Sequence, residues 1–125
     1  MDKTIWWIRR DLRLANNQAL HTALENSKHV LPVFILDPKL LYSEWKSEKR
    51  LGFLFASLHE LAKSIQARGG KLIIRQGEPD VVLRELVNEG GIERIFAETD
   101  ISPYARGRDE IIAQTLPLTL TPGLM

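Results

Sequence analysis

Two short stretches concentrate the residue types that do chemistry. The first is Trp7-Ile8-Arg9-Arg10-Asp11-Leu12-Arg13-Leu14, where four charged side chains directly follow an apolar run. Arginine offers a planar fork of donors and a flat stacking face, so guanidinium groups beside loop amides can hold an anionic or heteroaromatic ligand. The same residues can also form a solvated loop with an internal Arg–Asp pair, and a surface pair of that kind contributes only ~0–1 kcal/mol. The second stretch, FAETDISPYARGRD at Phe96–Asp109, joins another apolar run to a helical pattern. There Asp100 or Ser102 can cap the helix, and Arg106, Arg108 and Asp109 can pair on its surface.

Other chemistries lack their motifs. No G-x-G-x-x-G follows the first apolar run, and no G-x-x-x-x-G-K-[ST] occurs anywhere. Gly69-Gly70 and Gly90-Gly91 precede apolar runs, where helix stops are expected rather than phosphate loops. His21, His29 and His59 share no metal-ligand spacing, so no metal site is expected. No serine lies in G-x-S-x-G, which leaves acyl transfer without a nucleophile, and no catalytic residue is assigned.

The elements that must position the two clusters follow from periodicity. Thr4–Ile8 is a short β-rich run. Asn16 is expected to cap a helix over Asn17–Asn26, with Ala19, Leu20, Ala23 and Leu24 at helical spacing. His29–Leu36 is a second strand, and Pro32 within it favours a strand start or an irregular edge. Asp37–Lys46 shows no period and is expected to be a loop. Ser47–Arg68 carries an apolar stripe of Leu51, Leu54, Phe55, Leu58, Leu61, Ala62 and Ile65, stopped by Gly69-Gly70. Lys71–Arg75 is the third strand. A helix opened by Pro79 and carrying Val81, Val82, Leu83, Leu86 and Val87 runs to Gly90-Gly91. Arg94–Ala97 is the fourth strand, Pro103 opens a helix with Ile111, Ile112 and Leu116, and Leu118–Leu120 begins a fifth strand.

Short buried strands alternating with helices predict an α/β fold: a doubly wound, Rossmann-like parallel five-stranded sheet with helices on both faces. Ligands of such sheets bind beyond the carboxyl ends of the strands, where strand order reverses. Those ends are Arg9-Arg10-Asp11, Asp37-Pro38, Gln76-Gly77-Glu78 and Glu98–Ser102. Trp6 and Trp7 are expected in the core of the first strand. Trp45 either covers a pocket mouth or packs on the long helix.

A length of 125 residues with 44% hydrophobic composition suits one domain, residues 1–125. The formal charge of +1, from 17 basic and 16 acidic residues, gives no global attraction to nucleic acid. Cysteine is absent, which excludes disulfides and thiolate chemistry and fits a reducing compartment. No apolar run is long enough for a signal peptide or a membrane span, so a cytoplasmic protein with no membrane partner is expected.

Five collinear motifs carry a resemblance. They are W-x-R-R-D-L-R-L-x-x-N-x-A-L at Trp7–Leu20, V-F-I-L-D-P at Val33–Pro38, R-x-x-F-L-x-x-S-L-x-x-L from Arg50 to Leu61, G-x-P-x-x-V-L at Gly77–Leu83, and D-I-x-P-Y-A-R-x-R-D at Asp100–Asp109. In order and spacing they resemble the N-terminal α/β domain of the photolyase/cryptochrome family. The resemblance implies a parent with a C-terminal helical domain that binds FAD and reaches damaged DNA, so the chain is expected to be a fragment or an isolated domain. It also implies an antenna chromophore, which collects light for FAD-dependent repair of pyrimidine dimers by a deoxyribodipyrimidine photolyase.

Carried over residue by residue, the antenna pocket would use Arg10 and Asp11 after the first strand and Phe34, Leu36 and Asp37 at the end of the second. Arg50 at the start of the long helix and Asp100 after the fourth strand complete it. Where folate-type members carry Asn-Glu this chain has Tyr104-Ala105, which favours a deazaflavin or flavin over a folate. Ser102, where deazaflavin-type members often carry a second acid, weakens the deazaflavin match. Three other roles stay open at this level: a cryptochrome-type signalling domain, a scaffold without chromophore, and a free-standing nucleotide-binding module. Repair and signalling are not separated by these residues.

Overall fold

The computed structural model describes residues 1–43 and 47–122. In chain order it contains β1 (Lys3–Ile8), α1 (Gln18–Asn26), β2 (His29–Leu36), α2 (Pro38–Ser43), α3 (Glu48–Ala67), β3 (Ile73–Gln76), α4 (Pro79–Gly90), β4 (Arg94–Glu98), α5 (Pro103–Thr115) and β5 (Leu118–Thr121). The five strands form one parallel sheet in the order β3-β2-β1-β4-β5.

Side chains of a strand point alternately to opposite faces, so a strand covered on both faces must be apolar at every position. β1 meets that demand from Ile5 onward, where Ile5, Trp6, Trp7 and Ile8 are at most 2% exposed, while the buried Thr4 hydroxyl is hydrogen-bonded to Ser27 Oγ at 2.8 Å. Ile5 and Trp7, with Val33, Ile35, Ile95 and Ala97, pack against Val82, Leu83 and Leu86 of α4 and Ile112 of α5. Trp6 and Ile8, with Phe34 and Phe96, pack against Ala19 and Ala23 of α1 and Leu54, Leu58, Leu61 and Ile65 of α3. The predicted α/β sandwich is therefore present, with α1 and α3 on one face and α4 and α5 on the other.

Several local expectations are corrected. Asn17, not Asn16, caps α1: its side chain accepts from Leu20 N at 3.0 Å, while Asn16 adopts a left-handed φ of 54° in the turn before it. Residues 38–43 are not loop but α2. Asp37 starts it, because its Oδ1 accepts from Lys39 N at 3.0 Å and its carbonyl from Leu40 N and Leu41 N. Trp45 lies outside the described residues, so neither role expected of it is assigned.

In α3 the buried stripe is Leu54, Leu58, Leu61 and Ile65, and Phe55 is 48% exposed. One residue is about 100° of helical turn, so a side chain directly after a core position falls on the flank. By the same 100° step, Val81 on α4 and Ile111 on α5, each directly before a core position, are exposed. Pro32 sits just before Val33, the first β2 residue paired with β3, so β2 has a neighbour on one side only where its donor is missing.

Candidate functional site

β1 lies between β2 and β4, and the chain direction across the sheet reverses there, which puts a crevice beyond the carboxyl ends of these strands. A polar network forms its floor. Arg9, the first residue after β1, reaches across to α5: its Nη1 donates to Asp109 Oδ1 at 2.6 Å and Oδ2 at 2.7 Å, and its Nη2 donates to the Glu98 carbonyl. The two side chains are 6% and 5% exposed. Asp11 is equally buried. It accepts from Arg9 N at 2.9 Å, Asn17 Nδ2 at 2.8 Å and Trp6 Nε1 at 3.4 Å. Arg13 pairs with Glu98 at 3.2 Å. The segment after β1 is thus no solvated loop with an internal pair; Arg9 bonds across the fold, and Asp11 ties β1 to the cap of α1.

Above this floor is a narrow cleft lined by Trp7, Ile8, Arg9, Arg10, Phe34, Ile35, Leu36, Asp37, Leu40, Leu41, Pro79, Asp100 and Arg108. Two guanidinium groups lie against the Trp7 indole, Arg9 at 4.9 Å and Arg108 at 4.8 Å from the ring centroid. Such contacts are attractive and orient the cations. At the mouth, Arg10 Nε is 3.4 Å from Asp100 Oδ2. Asp37 is 2% exposed. Its Oδ2 accepts a hydrogen bond from the Tyr104 hydroxyl and lies 3.6 Å from Arg108 Nη1.

The charges are tuned by these surroundings. Burial, then repulsion from Asp11, raises the Glu98 pKa against the opposing charge of Arg13. Burial works against the charge of Asp100, but hydrogen bonds from Ser102 and the charge of Arg10 outweigh it and hold that carboxyl below its usual range. Burial and then the bond to Asp37 push the Tyr104 phenol up to about 12.

Of the residues expected from the sequence, Arg10, Phe34, Leu36, Asp37 and Asp100 all line the cleft. Asp11 lies in the floor beneath it. Arg50 is exposed at the start of α3 and is not among the lining residues. Ser102 caps α5, accepting from Ala105 N at 3.4 Å. Arg108 and Asp109, expected as surface pairs, are instead buried at the site. The sequence reading placed Arg9 at a strand end but assigned it no role, and it missed Trp7 as a wall, Arg108 as a cleft residue and Tyr104 as the partner of Asp37. Trp7 and Arg9 share the α4/α5 side by strand alternation, which the sequence contains. The partners on α5 are set only by the crossover.

The donor set fits a planar heterocycle with mixed polar edges: aromatic walls, guanidinium donors and carboxylate acceptors. The size does not fit unaided. The cavity volume of the cleft is about 30 Å³, little more than a water-sized guest needs, whereas small-molecule sites span roughly 300–1,000 Å³. A second groove between α4 and α5, of about 440 Å³, shares Asp37, Pro79 and Arg108 with it and has Tyr104 on its wall. Among the described residues no group of three or more His, Cys, Asp or Glu is placed to hold a metal ion, and no helix is long and apolar enough to cross a membrane.

Comparison with known proteins places the chain. The family model described as DNA photolyase matches residues 4–121. A deoxyribodipyrimidine photo-lyase from Synechococcus sp. is 35% identical over 112 residues, which are 90% of this chain and 23% of that protein. A chloroplastic/mitochondrial cryptochrome DASH from Arabidopsis thaliana is 37% identical over 103 residues, 78% of this chain and 18% of that protein. The structure of an archaeal photolyase from Sulfolobus tokodaii, described as holding two FAD molecules and implying a novel light-harvesting cofactor, superposes with a TM-score of 0.83 at 33% identity, covering 96% of this chain and 28% of the other. The chain thus spans about a quarter or less of the length of these relatives.

Proposed function

The chain belongs to the DNA photolyase family, as its N-terminal α/β domain, and from that premise we propose that it is a light-harvesting unit whose cleft binds a planar antenna chromophore, a flavin or a deazaflavin. The observation that carries the proposal is the cleft itself: an aromatic-walled slot at the reversal of strand order with buried acceptors and donors side by side. When bound, the chromophore absorbs light and passes on the excitation. The chain's residues bind, orient and exclude water.

Trp7 and Phe34 would contribute aromatic lining at the base of the cleft, Asp37 and Asp100 the acceptors, and Arg10 and Arg108 the donors. A reduced folate is disfavoured, since Tyr104 and the buried Ala105 stand where the resemblance puts the polar pair of folate-type members. The proposed partner is a FAD-binding domain, with damaged DNA reached through it alone and the whole working in the cytoplasm. The support for a second chromophore is the likeness to the archaeal photolyase with two FAD molecules.

The test is a titration of the chain with a deazaflavin, FMN, FAD and a reduced folate, followed by absorbance and fluorescence. Saturable binding of a flavin or deazaflavin, weakened about tenfold or more by Asp37→Asn, is the expected result; tenfold is ~1.4 kcal/mol, the scale of one charge-assisted hydrogen bond. Binding of the folate alone, or of none, overturns the proposal.

A further inference from the structure

We propose that Tyr104 is the gate and the selector of this site: its hydroxyl holds the place at Asp37 that a ligand N–H or O–H must take, and its displacement joins the cleft to the groove between α4 and α5. The inference rests on the chromophore proposal above and names the feature the ligand must carry.

Asp37 is the hinge of the argument. One carboxylate oxygen is committed to the fold, accepting from Lys39 N at 3.0 Å at the start of α2. The other is buried with it, faces Arg108 and receives the Tyr104 hydroxyl. A buried carboxylate oxygen stripped of its donor is strongly destabilised, so whatever displaces the phenol must donate in its stead. A group presenting a carbonyl or an anion to this oxygen would be repelled. A heterocycle with a ring N–H would not.

The geometry also assigns the direction of opening. Tyr104 lines the outer groove and not the inner cleft, while Asp37, Pro79 and Arg108 line both, so the Tyr104–Asp37 contact stands at the boundary. With the contact closed, the inner cleft offers about 30 Å³; the groove beyond offers about 440 Å³. Gly107 is part of the groove wall on α5, and a Cβ there would meet no atom within 4 Å. Glycine is a poor residue inside a helix, and here it leaves open space along α5 for a ring or tail. Arg108 is 90% buried by side chain and holds the same boundary between two carboxylates, its Nη1 3.6 Å from Asp37 and its Nε 3.7 Å from Asp109.

Two measurements test the gate. The chain holds two tyrosines, so Tyr42→Phe leaves Tyr104 as the only reporter. Its ultraviolet titration is expected near the raised value of about 12 without ligand, and displaced toward the ordinary value of about 10 in Asp37→Asn. An ordinary value in both proteins overturns the gate. The second measurement is stopped-flow binding of riboflavin and of its N3-methyl derivative, which cannot donate from that position. Riboflavin is expected to associate at least about tenfold faster with Tyr104→Phe than with the unsubstituted chain, and the methylated ring to bind at least about tenfold more weakly than riboflavin. Riboflavin binding with equal rates to both proteins overturns the gate and leaves the chromophore proposal standing. No binding of riboflavin, FMN or deazaflavin to either overturns both.

Discussion

Replacing Asp109 by asparagine tests whether the floor of the site is a buried ionic clamp. In the Arg9–Asp109 pair one guanidinium nitrogen, Nη1, reaches both carboxylate oxygens at 2.6 and 2.7 Å, both side chains are about 95% buried, and the residues are 100 positions apart in the chain. Asp109→Asn keeps the shape but leaves the Arg9 guanidinium without its anion and removes one of the two carboxylates that face Arg108. Removing one partner of a buried pair typically destabilises by ~3–5 kcal/mol, because the charge left behind has lost both water and partner. Against a typical domain stability of about 5–15 kcal/mol, that is a large fraction. For a chain of 125 residues it corresponds to a fall in Tm of roughly 10–25 °C. The assay is urea and thermal unfolding followed by circular dichroism. A companion double variant, Arg9→Met with Asp109→Leu, removes both charges and is expected to be clearly more stable than Asp109→Asn alone, as apolar replacement of a buried pair often is. A loss below about 1 kcal/mol for Asp109→Asn, the value of a surface pair, would refute the clamp.

Two further outcomes follow from the packing and the electrostatics. Leu58 is 2% exposed in the stripe of α3, so Leu58→Ala should destabilise by ~2–5 kcal/mol in the same unfolding assay; a smaller loss would mean that α3 does not hold its face of the sheet. Glu98 has a pKa raised first by burial and then by Asp11, so its ionised form is disfavoured in the fold and its contribution to stability falls as pH rises through the window above 4.5. Glu98→Gln should therefore unfold at a higher urea concentration than the parent at pH 7, with the gap narrowing below pH 4.5, where Glu98 is protonated in both states. A less stable Glu98→Gln at pH 7 would show that the Arg13 pair outweighs burial.

Asp37 shows how a site residue changes meaning once its neighbours are known. At the end of the second strand it reads as a pocket acid. In the fold it also starts α2, so alanine there would remove a helix-capping acceptor worth about 0.5–2 kcal/mol, and asparagine is the substitution that isolates its charge.

The sequence by itself determined the alternation of strands and helices, the burial of β1 and the glycine stops, and it narrowed the cap of the last helix to Asp100 or Ser102. Each of these depends on a period of two or 3.6 residues or on a local backbone conformation, all written within a few neighbouring positions. It also placed Arg10, Asp37 and Asp100 at the mouth of the sheet, because the ends of buried strands are legible as places where apolar runs stop; Phe34 and Leu36 came only from the family resemblance. Only the tertiary structure decided the strand order β3-β2-β1-β4-β5, the pairing of Arg9 with Asp109, and the meeting of Tyr104 with Asp37 across 67 positions. Those partners are chosen by how α5 crosses back over the sheet onto the Trp7 face. The position of that crossover depends on the packing of the whole domain, and no local period encodes it.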